Sequence, residues 1–173
     1  MFDINKVKQA IVDVEDFPTK GILFKDITPI FANPQLVKEI VAEMANKCQD
    51  LDFDVIIAPE SRGYIFGIPL ALLMNKPFVF VRKKGKLPRK TISVSYALEY
   101  GHAEIEMHED DLKPNMKVLI VDDLLATGGT IHAIQALVSK AHATVVGNMF
   151  LIELIALNGK DKLAGRVDSL LKY

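Results

Sequence analysis

The 173-residue chain has a single cysteine, Cys48, and no tryptophan. One thiol cannot close an internal disulfide, which excludes a cross-linked secreted scaffold and points to a reducing compartment. Cys48 falls in a helical pattern, where a buried structural thiol is expected. Net charge is nearly absent too, with 21 Lys and Arg against 22 Asp and Glu and a formal balance of -1. Chains that live on polynucleotide carry a basic excess, so nucleic acid is not an expected partner. No apolar stretch exceeds about ten residues, short of the ~20 that a membrane span needs. Residues 1–14 mix acidic side chains with lysines and lack an apolar core, which is not the pattern of a signal peptide. A cytoplasmic protein with no membrane partner is expected. A Gly-Lys-Ser/Thr nucleotide loop and a His-Glu-x-x-His motif are both missing. His102, His108, His132 and His142 lack the close pairing of a zinc site, so no role is assigned to them.

What is there is apolar and alternating. Half of the residues are hydrophobic, enough for one domain over residues 1–173 with a continuous core. Ile4, Val7, Ile11 and Val14 recur at helical spacing behind an Asp3 cap. Phe17 to Pro34 is rich in Pro and reads as an ordered loop with one short extended piece. Asn33-Pro34 starts a helix whose apolar face is Leu36, Val37, Ile40, Val41 and Met44. Buried strands are expected at Asp54 to Ala58, Phe78 to Val81, Lys117 to Val121 and Thr144 to Leu151. Helices are expected at Tyr64 to Met74 and Thr130 to Ala141. Thr91 to Leu98 and Ala103 to Met107 alternate and meet at Tyr100-Gly101, so they form a hairpin with one wet face that carries Glu104, Glu106, Glu109, Asp110 and Asp111. A short helix from Leu157 and an edge strand near Val167 to Leu171 close the chain. The fold class is therefore α/β, a mostly parallel twisted sheet with helices on both faces plus a β-hairpin flap. Ligands of such sheets bind beyond the carboxyl ends of the strands, here Pro59 to Gly63, Arg82 to Lys90 and Asp122 to Thr130.

The last of these segments carries the most specific chemistry. An apolar strand ends in Asp122-Asp123, and Leu124-Leu125-Ala126-Thr127-Gly128-Gly129-Thr130 then leads into a helix. Glycines let backbone amides approach a phosphate, the helix start adds unpaired amides, and the threonines add hydroxyls. Carboxylates suit a ribose diol, so phosphate cradle and acid pair together spell a ribose 5-phosphate. In Arg82 to Lys90 six of nine residues are basic. Over a site such a flap would neutralise a diphosphate leaving group, although a solvated basic loop has the same composition. Ser61-Arg62-Gly63 could hold a second anion, and Arg62 alone fits a surface salt bridge as well. Glu99 could serve as general acid or base, or be a solvated turn residue.

These residues resemble the type I phosphoribosyltransferases and, within them, the adenine phosphoribosyltransferases. The resemblance rests on Phe17-Pro18 with Phe24-Lys25-Asp26-Ile27-Thr28-Pro29, Ser61-Arg62-Gly63, Arg82 to Pro88, Leu98-Glu99-Tyr100-Gly101 and Asp122 to Thr130, in register from about Phe17 to Glu153. It implies a purine-salvage glycosyltransferase: adenine plus 5-phosphoribosyl 1-diphosphate gives AMP and diphosphate, with transfer to N9. It implies that Ala126, Thr127, Gly128, Gly129 and Thr130 bind the 5-phosphate and that Asp122 and Asp123 hold the ribose hydroxyls. Arg62, Arg82, Lys83 and Lys86 would serve the diphosphate, with Ser61 beside it. Arg62 and Lys86 would stabilise departing charge, Glu99 would move the proton and Tyr100 would close the site. Leu23, Phe24 and Lys25 would read adenine largely through backbone groups. The resemblance also implies Mg²⁺ held mainly by substrate and water, with no direct protein ligand, and a homodimer in which Arg82 reaches the neighbouring site. Residues 1–34 would be a base-covering hood and 82–109 a flexible basic flap and hairpin. Ala126 stands where relatives acting on 6-oxopurines carry an aspartate, which favours adenine. Lys25 and Lys20 stand where the family usually has Arg and Pro, and Lys25 cannot make a planar bidentate contact. Another purine, a sensor of the diphosphate without catalysis, and a phosphosugar-binding module are the competing readings.

Overall fold

The computed structural model describes residues 2–97 and 102–173. The chain divides into two compact units, residues 1–43 and 44–173, with the division inside the helix Pro34–Cys48.

In the first unit, α1 (Ile4–Gln9) is capped by Asp3, whose carboxylate accepts from the Asn5 amide at 3.0 Å. The helix is shorter than the spacing of Ile4, Val7, Ile11 and Val14 predicts. Val12–Glu15 leaves it and becomes β1, antiparallel to β2 (Leu23–Asp26). Val12 and Val14 are β-branched and alternate, which fits a strand as well as a helix, and here the cross-strand partner decides. The turn between the two strands needs left-handed backbone at Asp16 and Gly21, with Asp16 accepting from the Gly21 amide. Thr28–Ala32 is a 3-10 turn, and Asn33 caps α2 (Pro34–Cys48) by accepting from the Leu36 amide at 3.1 Å.

The second unit is built on a seven-stranded sheet of order β5-β6-β4-β3-β7-β8-β9. Its strands are β3 (Val55–Pro59), β4 (Phe78–Lys83), β5 (Thr91–Ala97), β6 (His102–His108), β7 (Lys117–Leu125), β8 (Thr144–Glu153) and β9 (Arg166–Lys172). β4, β3, β7, β8 and β9 run parallel, while β5 and β6 form an antiparallel hairpin on the β4 edge. All five residues of β3 are buried, as a strand covered on both sides must be. α3 (Arg62–Leu73) and α4 (Gly129–Lys140) cover opposite faces. Gly67 of α3 comes down on Ala58 and Phe78, whereas Ile134 and Leu137 of α4 share a cluster with Val55, Ile57, Val79 and Val81. Strand side chains alternate between faces, so these two sets lie on different sides.

The hairpin register pairs Ile92 with Met107, Val94 with Ile105 and Tyr96 with Ala103, all on one face packed to the core. Its other face is not uniformly wet. Glu106 is 4% exposed and accepts from the Lys86 and Leu87 amides and the Thr91 hydroxyl, because the chain from Lys84 to Lys90 folds over it. His108 is also buried, against Arg89 and Asp111. After β8, the expected short helix is two 3-10 turns, Ile155–Leu157 and Gly159–Lys162, separated by Asn158 in the left-handed region. Cys48 is fully buried, and burial pushes its thiol up to about 12, so it is inert.

Candidate active site

β3 and β7 are neighbours and parallel, so their carboxyl ends deliver Glu60 to Arg62 and Asp122 to Thr130 to the same edge of the sheet. Two adjoining cavities lie there. One of ≈ 200 Å³ is lined by Arg62 and the run from Asp122 to Ile131. The other, ≈ 320 Å³, is lined by Pro59, Glu60, Ser61, Arg62, Asp122, Asp123 and Thr130.

The first cavity owes its form to the turn from β7 into α4. Gly128 occupies the cap position at φ 79, a conformation that glycine adopts without strain. No side chain caps the helix, so nothing of the protein's own covers the amides of its first turn by capping. A 12-residue helix adds the partial positive charge of its N-terminus, which makes this edge a seat for phosphate. The turn is held from behind by a residue that the sequence reading passed over. A Cβ on Gly128 would lie 2.5 Å from the Gly159 carbonyl oxygen, and a Cβ on Gly159 would run into the Ala126 carbonyl. Tyr96 is a second omission: its hydroxyl is 3.4 Å from Thr130 Oγ1, which brings the hairpin to the cradle. A lone polar tip in an otherwise aliphatic strand face was the available signal.

Asp122 and Asp123 close the cavity opposite the helix. Asp123 is 4% exposed and accepts from Arg62 Nε at 2.9 Å, so the expected diol acceptor and the expected diphosphate cation meet each other. Asp122 borders both cavities and accepts from the Asp123 amide at 2.8 Å. Desolvation first, and the Asp123 charge second, raise its carboxyl well above the usual range, with Arg62 pulling the other way.

Glu60, on the rim of the second cavity, begins a set of ion pairs that takes up most of the basic residues of the loop after β4. Glu60 takes Arg82 Nε on one oxygen at 2.7 Å and Lys86 Nζ on the other at 3.0 Å. Lys84 pairs with Glu104, Arg89 with Asp111 and Lys90 with Glu109. Lys83, at the end of β4, lines neither cavity. Glu60 joins Ser61 through a cis peptide bond. Glu99 and Tyr100 lie outside the described residues. Leu23, Phe24 and Lys25 belong to the first unit, where Phe24 stacks edge-on with Phe17 and Lys25 pairs with Asp13 at 2.6 Å. Lys25 thus has a partner across the β1–β2 ribbon.

Comparison with known proteins agrees with this geometry. The phosphoribosyl transferase domain family matches residues 26–170. The adenine phosphoribosyltransferase of Ureaplasma parvum is 51% identical over 173 residues, covering 100% of each chain. The crystal structure of adenine phosphoribosyltransferase from Thermoanaerobacter pseudethanolicus superposes with a TM-score of 0.96 at 44% identity, over 99% of this chain and 100% of that one. The Saccharomyces cerevisiae enzyme, complexed with an imino-altritol bisphosphate and adenine, gives 0.91 at 37% identity, over 97% and 98% of the two chains.

Two outcomes follow from the site. Gly159→Ala, which must push the Ala126 carbonyl aside, should cost about 1–3 kcal/mol of stability in urea titrations, and it should weaken inorganic phosphate by roughly tenfold. Unchanged phosphate affinity would free the cradle from Gly159. Asp122 has a raised folded pKa, so the folded state holds a proton that the unfolded chain has lost. Its contribution to stability is therefore full below the unfolded value and is lost as pH rises through the folded one. Asp122→Asn should remove that loss: its melting temperature relative to the parent should be higher at pH 7 than at pH 4. A difference independent of pH would contradict the shift.

Proposed function

The chain belongs to the phosphoribosyltransferase family, among the adenine phosphoribosyltransferases, and we propose that it is a purine-salvage enzyme working through the site described above. It transfers the phosphoribosyl group of 5-phosphoribosyl 1-diphosphate to N9 of adenine, giving AMP and diphosphate. The observation that carries this reading is the left-handed Gly128 opening α4 directly after the acid pair. One turn of chain then offers phosphate donors and diol acceptors side by side.

We assign the 5-phosphate to Ala126, Thr127, Gly128, Gly129 and Thr130, and the ribose hydroxyls to Asp122 and Asp123. Side by side at the end of β7, the two carboxyl groups offer the diol several hydrogen-bonding oxygens. The diphosphate belongs in the ≈ 320 Å³ cavity beside Ser61 and Arg62, with Arg82 and Lys86 at its border through Glu60 and Lys83 further along the loop. As the bond to the anomeric carbon breaks, Arg62 and Lys86 offset the charge that develops on the leaving group. Holding sugar and base in line does the rest, without a covalent intermediate. We assign base recognition to backbone groups of Leu23, Phe24 and Lys25, removal of the adenine proton to Glu99 and closure to Tyr100, all on the strength of the motif resemblance.

Enzymes of this family generally use Mg²⁺ with the diphosphate substrate. No group of three or more His, Cys, Asp or Glu among the described residues could hold a metal alone. The ion would be held mainly by substrate oxygens and water, with no direct protein ligand. When bound, it would supply charge neutralisation at the diphosphate.

We further propose a homodimer. α3 is apolar on nearly every side, and Ile65 and Leu72 on it are exposed at 39% and 78%, which is the character of a covered helix. Phe80 of β4, 41% exposed, lies on the same strand face as Arg82, so a subunit seated there would bring Arg82 near its neighbour. No described helix is long and apolar enough to cross a membrane. A cytoplasmic location, without nucleic acid or membrane as partner, completes the proposal.

The assay is direct: incubate with 5-phosphoribosyl 1-diphosphate, Mg²⁺ and each purine in turn, and measure nucleotide and diphosphate. Adenine should give AMP, with hypoxanthine and guanine slower by roughly a hundredfold or more, since no carboxylate at position 126 meets a 6-oxopurine. Equal rates with hypoxanthine would remove the assignment to adenine.

A further inference from the structure

We propose that Glu60 is an internal counter-ion that holds Arg82 and Lys86 between turnovers and competes with diphosphate for them. The proposal rests on the assignment of Arg82 and Lys86 to the diphosphate.

Glu60 follows β3 directly, and its amide donates to the Val81 carbonyl at 2.9 Å, which fixes its backbone beside the end of β4. Its side chain is only 10% exposed, although it borders the ≈ 320 Å³ cavity. Each carboxylate oxygen has its own cation: Oε2 takes Arg82 Nε at 2.7 Å, and Oε1 takes Lys86 Nζ at 3.0 Å. Arg82 Nη1 also donates to the Lys86 carbonyl at 3.2 Å, and Glu106 accepts the amides of Lys86 and Leu87. Two cations from different segments thus converge on one carboxylate as they would on two oxygens of a phosphate group.

A negative side chain is a poor wall for an anion cavity unless its charge has work to do there. Arg62, which lines this cavity, is paired with Asp123, and Arg82 and Lys86 are drawn to its rim by Glu60. Diphosphate must take Arg82 and Lys86 away from Glu60 to bind, and the carboxylate competes for them continuously. Glu60 therefore holds the cations in place between turnovers and lowers the affinity for the departing product. A merely structural Glu60 has the opposite consequence: its loss would leave the two cations misplaced and weaken the anion.

The sign of the effect is the test. Binding of inorganic diphosphate is measured by calorimetry on the full chain and on Glu60→Gln, Lys86→Met and the double variant, with folding checked by thermal melting. Glu60→Gln should bind diphosphate roughly three- to tenfold more tightly at low ionic strength, as expected for half-exposed charges, and the gain should shrink in high salt. Product inhibition by diphosphate should strengthen in parallel, with KM for adenine unchanged. In the Lys86→Met background the gain should be smaller, because one of the two released cations is gone. Folded Glu60→Gln that binds diphosphate equally or more weakly, while Lys86→Met weakens it, overturns the counter-ion and leaves the diphosphate assignment standing. Unchanged affinity in Lys86→Met overturns that assignment and the counter-ion with it. Should Glu60→Gln fail to fold, Glu60→Asp answers the same question. Its shorter carboxylate cannot reach both cations, so it should also tighten diphosphate, by less, and no tightening overturns the proposal.

Discussion

Between Leu125 and Thr130 the chain has to pass from a buried strand to a helix without covering the amides at the helix start. It manages this by resting on the backbone of Gly159, where neither partner has room for a Cβ. Backbone against backbone is a stiff support, since there is no rotamer to adjust. The left-handed Gly128 then turns the amides outward, and α4, packed through Ile131, Ile134 and Leu137, fixes their direction relative to the sheet. Asp122 and Asp123 inherit their place from the same strand, one step beyond the core residues Val118 and Ile120. The turn amides and the backbone that carries the two carboxylates are both positioned by the core.

The charges beside this frame are arranged as a closed account within one chain. Asp123 has Arg62, Glu60 has Arg82 and Lys86, and burial, with the Asp123 charge second, raises the Asp122 carboxyl above its usual range. An empty site with three loose cations would attract any anion, whereas an internally neutralised one favours a ligand able to compete for several cations at once. The basic loop follows the same rule, with Lys84, Arg89 and Lys90 each matched to a carboxylate.

Much of this was legible in the residues. Continuous apolar runs located β3 and β7, alternation gave the two strands of the hairpin, and the order strand, acid pair, glycine turn, helix marked the cradle. The failures have physical causes. Val12 and Val14 suit a strand as well as a helix, and only the remote partner Leu23–Asp26 makes them a strand. Glu106 has the sequence position of a wet-face residue, but burial came from a loop folding back over it, which no local period records. Gly159 supports Gly128 from the far side of β8, and glycine in a polar turn gives no sign of what lies against it. Glu60 carries no local sign of its role, because its two cations come from more than twenty residues downstream. Site elements carried by consecutive residues were readable, while those made by long-range contact were not.

The central claim is that backbone amides of the Thr127 to Thr130 turn receive the sugar phosphate. Titration of the ¹⁵N-labelled chain with ribose 5-phosphate tests it amide by amide. The largest downfield shifts should fall on Gly128, Gly129 and Thr130, saturating together with one affinity. Shifts gathered on Lys84 to Lys90, with the turn unmoved, would contradict the account.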